Sequence, residues 1–175
     1  ELRLPAEVVA RVAGQDEEMS TSFRSLRLML GLALFLVFAS MASLFESLRW
    51  PLIIMLTVPM GLIGAIVSLF ITGTTINVLV LIGVVILAGI VVNNAIVLID
   101  AIGRRLGEGQ SLDAAIIDAG RERLRPIMMT TSTTVLGLVP MALSRQAGSE
   151  LRVPLAVTVM GGLTIATVLT LIVIP

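Results

Sequence analysis

Two adjacent carboxamides, Asn93 and Asn94, interrupt a run from Gly89 to Ile99 that is otherwise Gly, Val, Ile, Leu and Ala. Each carries donors and an acceptor that hydrocarbon cannot satisfy, so both are expected to face other helices or water. By itself the pair reads equally well as interhelical glue or as part of a transport path. A second polar run, Thr130, Thr131, Ser132, Thr133 and Thr134, opens another apolar stretch. A helical hydroxyl can bond the carbonyl four residues back. Consecutive positions cover every side of a helix, so at most one or two of these can share a neighbour with the Asn pair. Asp100 and Arg104 have the spacing of a helical ion pair. Cys, His and Lys are absent and all twelve cations are Arg. That excludes thiol, imidazole and Schiff-base chemistry. There is no phosphate-binding glycine loop, and no two carboxylates lie together in an apolar run. No catalytic residue, cofactor or resident metal is therefore expected, and the chain does not read as an enzyme.

The elements that must position these groups are set by composition. Apolar residues make up 57% of the chain and charged residues 14%, with a mean hydropathy of +1.05. A soluble domain is about 45–50% apolar and about 25% charged. The formal net charge of +0 offers nothing to nucleic acid. Stretches of 18 or so apolar residues without charge mark membrane helices. They occur at 28–45, 50–73, 76–99, 126–143 and 153–175, each apolar all round, which argues for lipid. The fold class expected is all-α membrane, with five transmembrane helices and one amphipathic surface helix. The short links Glu46–Arg49 and Thr72–Thr75 make the first three spans antiparallel neighbours. Pro59 and Pro140 are expected to kink their spans. Gly61, Gly64, Gly83, Gly89, Gly161 and Gly162 permit close backbone approach.

After the third span, Gly103–Gly109 reads as a helix stop. Ser111 then caps a helix over 111–120, with Asp113 in its first turn and Leu112, Ala115, Ile116 and Ala119 on one face. Gly120 should end it, and Pro126 should open the fourth span. Residues 1–22 are expected to be the end of an external domain plus a lead-in helix, with an edge strand over 4–12 and a helix opening at Gln15–Glu18. Residues 23–175 form the membrane domain. Six arginines (49, 104, 105, 121, 123, 125) lie on one side of the membrane. Arg145 and Arg152 lie on the other, once the lead-in segment is left out because long domains cross regardless of charge. The 111–120 helix is thus expected to be cytoplasmic. The chain opens at Glu1 and closes at Pro175 in an apolar run, which reads as a piece of a longer polypeptide.

The order of motifs resembles one family. Phe45-Glu46-Ser47 with Pro51, Val58-Pro59-Met60-Gly61-Leu62-Ile63-Gly64-Ala65 and Gly89-Ile90-Val91-Val92-Asn93-Asn94-Ala95 are similar to stretches of the resistance–nodulation–division (RND) efflux transporters. So are Arg123-Leu124-Arg125-Pro126-Ile127-Met128-Met129-Thr130-Thr131 and Val159-Met160-Gly161-Gly162-Leu163. The resemblance implies the last five helices of a twelve-helix, multi-pass protein of the bacterial inner (plasma) membrane. It implies a homotrimer that expels drugs, detergents or other small amphiphilic substrates in exchange for protons, with a periplasmic adaptor and an outer-membrane channel as partners. It also places Asn93 where relatives carry a lysine facing an acid pair in the other half. Asn94 lies beside it, and Thr130 and Arg123 stand at the remaining relay positions. Replacing lysine by an amide removes a charge that a swinging-lysine mechanism needs. The alternatives are a protein-export or lipid-handling relative, or a non-transporting scaffold such as a sterol-sensing module.

Overall fold

The computed structural model describes residues 15–146 and 148–173. The expected edge strand over 4–12 lies outside the described residues. Among the described residues six helices follow one another: α1 (Gln15–Leu44), α2 (Arg49–Met55), α3 (Thr57–Thr72), α4 (Val78–Gly107), α5 (Leu112–Ala142) and α6 (Ser149–Val173). The lead-in helix begins at Gln15 as the acidic cluster suggests. It runs straight into the first span, so α1 has 30 residues and is about 45 Å long.

Among the described side chains of α1, one narrow stripe packs. Leu30, Leu34, Val37 and Met41 meet Ala88, Val92, Ala95 and Ile99 of α4 with Ile54 and Val58, while Leu28, Leu32, Phe35 and Leu36 stay exposed. Glu46, at φ 47°, turns the chain, and Ser47 Oγ accepts from the Arg49 N–H at 3.3 Å. The kink expected at Pro59 falls upstream, at Leu56 between α2 and α3. Pro59 has no N–H for the Met55 carbonyl, and its ring crowds that carbonyl. The buried Thr57 hydroxyl satisfies the neighbouring one instead, donating to the Ile54 carbonyl at 2.6 Å.

Gly73, at φ 63°, stops α3. Asn77 caps α4 by accepting from the Val80 N–H at 3.0 Å. The stop expected from Gly103 comes later: α4 continues to Gly107 and the left-handed residue is Gly109, at φ 86°.

The separate 111–120 surface helix is not found. Leu112–Ala142 is one helix through Gly120 and Pro126. The reason is continuous cover: Ala115, Ala119, Arg123, Ile127 and Thr131 form a stripe that winds slowly round the helix, each step turning it by about 40°, and it meets α4 first and α6 at Thr131. Ala119 and Ile127 bury against Leu98, Ala101 and Ile102 of α4, with Ile116 beside them. That face therefore covers α4 rather than a membrane surface. Pro126 leaves the carbonyl of the exposed Glu122 without its N–H partner.

Among the described residues, four stretches are long and apolar enough to cross a membrane: Thr21–Leu44, Arg49–Thr72, Val78–Gly107 and Ser149–Ile172. The expected fifth, 126–143, is the last part of α5, less apolar than those four because of its hydroxyl run. α6 lies at the centre and packs on α3, α4 and α5. Small residues set the α3–α6 distance: a Cβ on Gly64 would sit 2.8 Å from Ile165 Cβ and 3.1 Å from the Gly161 carbonyl oxygen.

Candidate functional site

Asn93 and Asn94 fall at the midpoint of α4, with about 22 Å of helix on either side. A residue step turns a helix by about 100°, so the two side chains diverge. Asn93 is exposed and lines an apolar groove of about 250 Å³ with Leu30, Ala33, Leu34 and Val37 of α1. Asn94 is half-buried and faces the other way, toward Ile127 of α5 and Thr167 and Thr170 of α6, around a cavity of about 10 Å³. Among the described residues nothing hydrogen-bonds the Asn94 carboxamide.

The other two expected residues do not join Asn93. Thr130 is exposed, and its hydroxyl donates to the Ile127 carbonyl at 3.0 Å. Arg123 is half-buried in the first half of α5. Its Nη2 lies 3.7 Å from Glu122 Oε1, and its buried Nε has no partner among the described residues. The hydroxyl that does reach across is Thr131, which is 7% exposed. Its Oγ1 is 3.1 Å from Thr167 Oγ1. Thr167 spends its own proton on the Leu163 carbonyl at 2.7 Å, so Thr131 is the donor. The sequence reading overlooked Thr167 and Thr170. Their signal was threonine at every third position (164, 167, 170) of an otherwise apolar helix.

At the end of α4, Asp100 and Arg104 pair at 3.1 Å, as their spacing predicts. Beyond them Arg105 clamps α5, with Nη2 donating to Glu122 Oε2 at 2.7 Å and Nη1 lying 3.6 Å from Asp118 Oδ2. The Arg105 hydrogen bond, helped by the charges of Arg123, Arg105 and Arg104, holds the Glu122 carboxyl below its usual range. The clamp fixes the rotation of α5 just before Arg123.

A sequence model of the AcrB/AcrD/AcrF family matches residues 1–175. The chain belongs to that family. As an RND transporter segment it is a multi-pass protein of the bacterial inner membrane. The nickel and cobalt resistance protein CnrA of Cupriavidus metallidurans is similar to it, 35% identical over 175 residues, covering 100% of this chain and 16% of that protein. The swarming motility protein SwrC of Bacillus subtilis is 39% identical over 172 residues, covering 98% of this chain and 16% of that protein. An X-ray crystal structure of a heavy metal efflux pump (crystal form II) superimposes with a TM-score of 0.83 at 34% identity, covering 97% of this chain and 18% of that one. The chain thus spans about a sixth of the length of these RND relatives.

Proposed function

We propose that this chain is the last membrane segment of an RND exporter driven by the proton-motive force, and that Asn93 is its contact with the proton-carrying half. The observation that carries this reading is the exposed Asn93 carboxamide at the midpoint of a 30-residue helix. Hydrocarbon offers such a group nothing, and intramembrane polar groups are costly unless paired or wet. A partner surface from the rest of the protein satisfies it, and a carboxylate there would accept from its amide. An amide brings no charge, so it depresses a neighbouring acid's pKa less than a lysine would. Thr130 and Arg123 serve the same relay from α5, Arg123 being held in phase by the Arg105 clamp. The last part of α5, 126–142, makes the fifth crossing, and the α4–α5 turn faces the cytoplasm.

Heavy-metal cations are the cargo this reading favours, because similar proteins include the nickel and cobalt resistance protein CnrA and the cobalt-zinc-cadmium resistance protein CzcA. Amphiphilic drugs are the second reading, favoured by the apolar groove between α1 and α4. A homotrimer with a periplasmic adaptor and an outer-membrane channel is the proposed assembly.

The test is a cell lacking its own exporters and carrying the full-length protein. Growth is scored against nickel, cobalt, zinc and cadmium in one arm, and against dyes and detergents in the other. Metal resistance that disappears on collapsing the proton gradient supports the proposal, and resistance to dyes alone shifts the cargo to amphiphiles. Asn93 and Asn94 changed together to Leu should abolish resistance at equal membrane abundance. Resistance equal to the parent's would reduce the pair to packing.

A further inference from the structure

Most of the helical threonines share one habit, Thr131 with its bond to Thr167 being an exception. Thr57, Thr130, Thr133, Thr134, Thr158, Thr164 and Thr167 each donate to a carbonyl three or four residues back. That is the low-cost way to bury a hydroxyl in a membrane helix. Thr170 departs from it. The residue is 3% exposed, and its Oγ1 has no hydrogen-bond partner among the described residues. It lines the cavity of about 10 Å³ shared with Asn94 and Thr167 and walled by Val91 and Ile127. Three polar side chains from two helices thus converge on one small space.

The size and chemistry of that space select its ligand. One water needs roughly 10–15 Å³ of such space and two to four polar partners. We infer that this cavity is a built site for a single water molecule that fastens Asn94 of α4 to Thr167 and Thr170 of α6. The protons can be assigned. Thr167 gives its proton to Leu163 and accepts from Thr131, which leaves one lone pair on Thr167 Oγ1. The water accepts from Thr170 Oγ1–H and donates to Thr167 Oγ1 and to the Asn94 carboxamide oxygen. All lining oxygens are neutral, so a bare cation would lose its hydration shell without a countercharge. The water extends the Thr131–Thr167 contact into a polar seam joining α4, α5 and α6. It gives the second asparagine a positioning role distinct from that of Asn93. This inference requires neither a particular cargo nor proton coupling.

The test uses the full-length transporter. A density map that resolves ordered waters should show one within hydrogen-bond reach of Thr170 Oγ1, Thr167 Oγ1 and Asn94, absent in the isosteric Thr170→Val variant. In detergent, Thr170→Val should lower the melting temperature by a few degrees. The double variant with Asn94→Leu should melt no lower than the poorer single variant, because both act through one bridge. A cavity without density in the parent overturns the proposal. So does a melting temperature that rises with Thr170→Val, as removal of a dry, unpaired hydroxyl would produce. A stabilisation by sodium over potassium that Thr170→Val abolishes would mark a cation site and overturn it too.

Discussion

Gly64→Ala should separate α3 from α6. The new methyl would lie 2.8 Å from Ile165 Cβ, 3.1 Å from the Gly161 carbonyl oxygen and 3.1 Å from Gly162 Cα. None of these atoms can move by changing a rotamer, because each is backbone or directly attached to it. Ordinary contact begins at 3.4 Å, so the seam must open by 3.4 − 2.8 = 0.6 Å at the tightest point. A radial gap of about 0.5–1 Å forfeits roughly a quarter to a half of each dispersion contact along a seam, and overpacking of this kind costs about 1–3 kcal/mol. Ala also gains up to about 1 kcal/mol over Gly in helix propensity, which would blur a single measurement. Gly31→Ala and Gly137→Ala supply the correction, since a methyl at either meets nothing within 4 Å. Their difference from Gly64→Ala isolates the packing cost at about 1–3 kcal/mol. The assay is thermal unfolding of the full-length protein in detergent, followed by the loss of the monodisperse peak on size exclusion. If Gly64→Ala melts with the two controls, the close approach of α3 and α6 is refuted.

Three further outcomes follow from the structure. Thr131→Val should destabilise by about 0.6 kcal/mol, a typical value for an interhelical hydrogen bond in a membrane, whereas Thr130→Val removes only a bond within its own helix and should melt like the parent. The Glu122 carboxyl titrates below its ordinary 4.5 when folded. Its contribution is therefore complete above that value and lost as pH falls through the depressed one, so the melting difference between the parent and Glu122→Gln should exist at neutral pH and vanish in strong acid. Single cysteines at Gly107 and Ser111 should react with an impermeant thiol reagent only from the cytoplasmic side, and those at Thr74 and Gly148 only from outside; labelling of the Gly107 site from outside would invert the proposed topology.

Much of the fold was legible because lipid imposes a simple rule. Runs without charge had to become helices, and links as short as Glu46–Arg49 had to turn them back. Ser111 and Asp113 marked the start of α5, although the Ser111 hydroxyl makes no capping hydrogen bond, and the Asp100–Arg104 spacing marked an ion pair found at 3.1 Å. Local signals failed where tertiary packing outvoted them. Gly120 and Pro126 both argue for a break, yet the winding stripe from Ala115 to Thr131 keeps α5 whole because it has α4, and then α6, to bury against. Pro59 signalled a bend but not its position, which depends on the carbonyl its ring displaces, a turn earlier. The site was legible in its residue types and not in their direction. Asn93 and Asn94 read as one motif until helix geometry pointed them at different neighbours, about 100° apart. Thr170 looked like any helical threonine, since only the structure shows which hydroxyl fails to find a carbonyl.

That divergence divides the molecule into two sides. On one side α3, α4, α5 and α6 meet through glycines and through hydroxyls that satisfy one another or their own backbones. A displacement there would cost contacts already at their closest approach. On the other side α1 touches α4 along a single stripe, leaves most of its apolar surface exposed and borders the groove that contains Asn93. An exposed carboxamide and an exposed leucine face need different neighbours: a hydrogen-bond acceptor for one, and helix or lipid for the other. On the reading proposed above, a second helical half that carries an acid at the same depth would supply both at once. The incomplete side would then be where that half docks, and the packed side the wall that holds Asn93 in register with it.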